Sequence, residues 1–151
     1  MNKTFYVIFL LVFVACSTVP ITGRKQLKLI PNGQLLPMSF EQYTQVLSES
    51  KLSTDEEKVA MIKRVGQKIQ TAAEDYYKEN YLENDLVGYD WEYNLIVSDQ
   101  VNAWCMPGGK VAFYTGILPI CEDETGIAVV MGHEVAHALA NHGGERMSQG
   151  M

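Results

Sequence analysis

Two histidines one helical turn apart constrain this chain more than any other feature. The stretch Val130-Met131-Gly132-His133-Glu134-Val135-Ala136-His137-Ala138-Leu139-Ala140-Asn141-His142 carries H-E-x-x-H inside an apolar run. Glu122, Asp123 and Glu124 precede it, acids that suit a helix N-terminus. Ile127, Val130, Met131, Val135, Ala138 and Leu139 recur at helical spacing, and Gly143-Gly144 offer a stop. On such a helix His133 and His137 point the same way. Two imidazoles so placed can share one Zn²⁺, with Glu134 beside them as a candidate general base toward water. The competing reading is a core helix that happens to carry two histidines. It would leave an acid flanked by two histidines in apolar surroundings, which costs free energy without a metal or partner.

The 151 residues are enough for one small domain, and an apolar content of 47% is ordinary for a globular one. The net charge of -6 argues against nucleic acid as the partner. Three cysteines without C-x-x-C suggest no cysteine zinc site.

Residues 1–15 read as a lipoprotein signal peptide. Lys3 gives a short positive start, and the apolar run that follows is too short for a comfortable membrane span. It closes on Phe13-Val14-Ala15-Cys16, similar to a bacterial lipobox, so Cys16 is the expected lipidated residue and the expected link to the membrane. An uncleaved anchor helix is the alternative. Residues 16–38 read as a tether, because Pro20, Gly23, Pro31, Gly33 and Pro37 interrupt any pattern; a short strand is compatible with 26–30.

A helix is expected over 40–48 with Ser39 as cap, and a second over 54–80 with Thr54 as cap and Glu57 completing the box. Val59, Ile62, Val65, Ile69 and Ala72 form the buried stripe of the second. Strands are expected over 89–97, 101–105 and 110–115, with Met106-Pro107-Gly108-Gly109 turning the chain. Helix, then strands, then the H-E-x-x-H helix gives an α+β fold with a small mixed sheet.

At Asn102-Ala103-Trp104-Cys105-Met106-Pro107-Gly108-Gly109-Lys110-Val111-Ala112-Phe113-Tyr114-Thr115-Gly116 the chain resembles the zinc metallopeptidases of family 48. These include HtpX-like enzymes and a branch of periplasmic lipoproteins with an Oma-like peptidase domain. The likeness continues through Gly132-His133-Glu134, His137-Ala138-Leu139-Ala140, His142-Gly143 and Glu145-Arg146-Met147-Ser148. Thr22-Gly23-Arg24 and Gln26-Leu27 fit the same branch. The resemblance implies a zincin-like, gluzincin-type domain over 39–151, with His133 and His137 binding Zn²⁺ and Glu134 as catalytic acid/base. It also implies that the glycine hairpin lies along the active cleft, with Asn102, Gly108, Gly109, Val111 and Phe113 as substrate-binding residues. An exposed strand there could pair with an extended peptide. Arg146 and His142 match family positions and are expected to be structural.

The family draws its third protein ligand from a glutamate on a later helix, and a catalytic zinc needs three protein ligands. No such helix precedes Met151, so the chain reads as the N-terminal part of a longer peptidase; a genuinely short protein is the alternative. Cys105 and Cys121 are expected to be buried thiols rather than a disulfide. The expected function is zinc endopeptidase action on envelope or misfolded polypeptides at the periplasmic face of a bacterial outer membrane. The alternative is a non-catalytic lipoprotein that binds unfolded proteins.

Overall fold

Alternation along Tyr93-Asn94-Leu95 and the run Val111-Ala112-Phe113 build the sheet on which everything else is stacked. The computed structural model describes residues 16–19, 23–27 and 30–149. A hairpin of β1 (Cys16–Thr18) and β2 (Lys25–Leu27) comes first. Helices α1 (Asn32–Glu49) and α2 (Glu56–Glu79) follow. Then come β3 (Glu92–Ile96), β4 (Ala103–Met106) and β5 (Lys110–Tyr114). The short α3 (Leu118–Cys121) leads into α4 (Glu124–Leu139) and α5 (His142–Gln149).

The sheet order is β3-β5-β4, with β5 parallel to β3 and antiparallel to β4. Strand β5 is therefore central and β4 is an edge. Period-2 alternation sends Val111 and Phe113 to one face and Ala112 to the other. Val111 and Phe113 meet Ile62 and Val65 of α2 and Ile127 and Met131 of α4 in the main core. On the opposite face Ala112 meets Tyr43 of α1, whose hydroxyl donates to the carbonyl of Val111 at 2.8 Å. Gly66 explains how closely α2 lies on the sheet: a Cβ there would stand 2.4 Å from the Tyr93 ring.

The mixed α+β architecture and all three strands match expectation, with ends moved by at most three residues. Helix α2 matches too, although its cap is Asp55, which accepts from the Lys58 amide, and not Thr54. The segment 16–38 differs from the expected tether. It carries the β1–β2 hairpin, and α1 begins at Asn32 rather than near residue 40, with Pro37 inside it. Ser39 is then no cap; its hydroxyl donates to the Pro107 carbonyl at 2.7 Å and ties α1 to the glycine turn. Gly143 and Gly144 lie inside α5, so they do not stop α4. The break comes at Asn141, whose φ of 56 lies in the left-handed region that asparagine tolerates after a helix. Residues 1–15 and the side chain of Cys16 lie outside the described residues.

Candidate active site

Helix α4 positions the histidines. Asp123 caps it by accepting from the amides of Thr125 and Gly126 at 2.8 and 3.0 Å. Glu124, in its first turn, is bound by Arg64 and Lys68 of α2. Ile127, Met131, Val135 and Ala138 form the buried stripe of α4. His133 is exposed one way, while Glu134 and His137 are half-buried.

The His133 and His137 Nε2 atoms lie 3.0 Å apart, with the rings edge to face. Two nitrogens on one tetrahedral zinc, each about 2.0–2.1 Å from it, stand roughly 3.3–3.4 Å from one another. The pair therefore fits two corners of such a site with a shift of a few tenths of an ångström. Among the described residues no group of three or more His, Cys, Asp or Glu side chains gathers around one point. His142 does approach, but from the far side: its Nδ1 meets Nδ1 of His137 at 2.6 Å.

Helix α4 packs against β4. The Cys105 thiol on that strand is pushed up to about 12, by burial first and then by the negative charge of Glu134. Cys105 and Cys121 are free thiols, as expected from their apolar surroundings.

The glycine hairpin forms where expected, but its second strand, β5, is central in the sheet and offers no free edge. Val111 and Phe113 are both 0% exposed and sit in the middle of the sheet, so neither can face a substrate. Gly108 and Gly109 are also buried. Their φ values of 88 and 83 make the turn, and the Phe40 and Trp91 rings press on the positions where side chains would stand. Asn102 alone of the five is exposed. The available edge is β4. Asn102 accepts from the Tyr114 amide at 3.1 Å, so by antiparallel alternation Trp104 is paired inward while the amides and carbonyls of Ala103 and Cys105 point outward. Beside that edge runs a groove of about 520 Å³, lined by Leu35, Met38, Met106, Pro107 and Gly143 among others. Strand order was the missing information; the unbroken apolar run Val111-Ala112-Phe113 was its one signal, since a strand covered on both faces need not alternate.

An α+β layer carrying H-E-x-x-H on an open helix face is the arrangement of metallopeptidases. This chain belongs to peptidase family M48, whose profile matches residues 63–151. It is 42% identical over 92 residues to the mitochondrial metalloendopeptidase OMA1 of Saccharomyces cerevisiae, covering 58% of this chain and 26% of that relative. It is 27% identical over 139 residues to the mitochondrial metalloendopeptidase OMA1 of Bos taurus, covering 90% and 25%. It is also 34% identical over 61 residues to the metalloprotease YcaL of Escherichia coli, covering 40% and 24%. The chain thus spans about a quarter of the length of these relatives. The expected location at a bacterial outer membrane is overturned by the fungal, plant and bovine relatives, which are mitochondrial. That expectation rested on a short apolar leader and a cysteine. An apolar run specifies a membrane-seeking segment and says little about which membrane receives it.

Proposed function

We propose that the chain carries the metal-binding helix and docking edge of a zinc-dependent metalloendopeptidase of the zincin type. One observation supports this above the rest: the His133 and His137 Nε2 atoms converge at 3.0 Å on an open helix face, with Glu134 next in sequence. His133 and His137 would hold the ion, and a third protein ligand would come from outside the described residues. Zinc, when bound, supplies Lewis acidity toward water and toward a carbonyl oxygen.

The chain's own residues do the rest. Glu134 takes the proton of the attacking water and returns it to the departing amine nitrogen. The outward amides and carbonyls of Ala103 and Cys105 pair with the backbone of an extended polypeptide, which fixes its direction along β4. The apolar groove beside Met106 and Pro107 takes a substrate side chain. The relatives bear the names metalloendopeptidase and metalloprotease, so an unfolded-protein binder without catalysis is not favoured.

Zinc content and casein cleavage, measured on a form of the protein that includes the third ligand, test the assignment. Glu134→Gln should keep the zinc affinity of the parent while losing cleavage by about 10²–10⁴-fold, roughly 3–5 kcal/mol of barrier. His137→Ala should lose both. Equal cleavage by parent and Glu134→Gln would remove the proposed role. Ala103→Pro takes away one outward donor and should weaken peptide binding in a folded protein. Unchanged peptide affinity would move the docking edge elsewhere.

A further inference from the structure

His137 uses both ring nitrogens, and each faces another imidazole. Its Nε2 meets His133 Nε2 at 3.0 Å, and its Nδ1 meets His142 Nδ1 at 2.6 Å with the rings tilted by 52°. A hydrogen bond between two Nδ1 atoms holds one proton. If His142 carries it, the neutral His137 ring must be protonated on Nε2, and that atom cannot bind a metal. If His137 carries it, Nε2 is left as a lone pair aimed at His133, and His142 accepts through Nδ1 and is protonated on Nε2. Metal ligation selects the second arrangement.

The surroundings of His142 hold it in place. Asn141, in its left-handed conformation, turns the chain so that α5 starts with His142 folded back over the last turn of α4. Glu145 lies three residues on, on the same face of α5. The Arg24 guanidinium binds both oxygens of Glu145, at 2.8 and 2.5 Å. Hydrogen bonds from Arg24 come first in holding the Glu145 carboxyl below its usual range. Arg24, just before β2, thus anchors a carboxylate that lies one turn along α5 from His142.

The geometry points to His142 as a positioning residue that orients His137 and fixes its tautomer for metal binding, with Glu145 and Arg24 as its support. This rests on the metallopeptidase reading above. A metal-bound imidazole commonly needs an acceptor on its other nitrogen, and loss of that acceptor typically costs about 10–100-fold in metal affinity.

Zinc titration of the 151-residue chain, followed by imidazole ¹⁵N NMR, tests it. His142→Phe keeps the ring's bulk without the acceptor and should weaken zinc about 10–100-fold. His142→Asn places an amide oxygen near the former Nδ1 and should recover most of the affinity. Arg24→Ala should give a smaller loss. The wild-type chain should also show a ¹⁵N–¹⁵N coupling across the His137–His142 bond. That measurement decides the matter even if His142→Phe does not fold. Zinc-induced shifts at His133 and His137 without that coupling overturn this inference alone. So does equal affinity in wild type and His142→Phe, or equal loss in His142→Phe and His142→Asn. A wild-type chain whose histidines do not respond to zinc overturns the metallopeptidase reading and this inference with it.

Discussion

The two ends of α4 are held by different means. The front end is fixed by a side-chain cap, ion pairs and close backbone packing. Asp123 caps it, Arg64 and Lys68 grip Glu124, and Gly126 is pressed so closely on Cys121 that a Cβ would lie 1.9 Å from the carbonyl oxygen. The rear end is held differently. It finishes in three imidazoles, a left-handed asparagine and a second helix folded back on the first. The front end carries the cap and the tight backbone approach, and the rear end presents imidazole nitrogens whose order is set by contacts with one another.

Substitutions should therefore separate by end. Gly126→Val should have the largest effect. Backbone meets the new side chain, nothing flexible can yield, and the protein should fail to give a cooperative thermal transition. Met131→Ala, midway along α4 and 0% exposed, should lower stability by about 2–5 kcal/mol in urea unfolding. His137→Ala at the rear should abolish zinc-induced NMR shifts and leave the urea midpoint close to the parent's. A large drop in that midpoint would erase the contrast between the ends.

Asp123→Ala should lower the melting temperature by a few degrees, as loss of one cap does. Acid sharpens the same point. Amides of Gly126 and Thr125 hold the Asp123 carboxyl below its ordinary 3.8, and Arg64 holds Glu124 below its ordinary 4.5. The unfolded chain takes up these protons at higher pH than the folded one. The contribution of both groups is complete above about pH 5 and is lost as pH falls through the depressed values. Melting temperature should decline below that pH, and Asp123→Asn with Glu124→Gln should flatten the decline.

Helix α4 was legible in the sequence because the spacing of Ile127, Met131, Val135 and Ala138 repeats the helical period and acids precede it. The candidate metal pair was legible for the same reason, since i and i+4 on one helix need no tertiary information. The N-terminal region misled because Gly33 and Pro37 carry the signal of a loop. Pro37 nevertheless lies near the start of α1, where the hydrogen bond it forgoes is a single one. The docking edge misled because strand order follows from how the sheet closes between α1 and α2. Lys110 shows the limit from the other side. It is 4% exposed, with Nζ 2.8 Å from Asp90 and 3.3 Å from Glu92 and lying over the Phe40 ring. A lysine next to a glycine turn gives no sign of such burial. His142 was visible as a residue, but its partner nitrogen depends on a left-handed turn at Asn141.

The Arg24–Glu145 bridge joins positions 121 residues apart in the chain. Its energy as an exposed pair is small. Its consequence is one of linkage: while the bridge is formed, opening either the hairpin or α5 must first break it. The helix that carries His142 is thereby linked to the hairpin that begins at Cys16. A change near the hairpin that frees Arg24 would leave the Glu145 carboxylate without that partner.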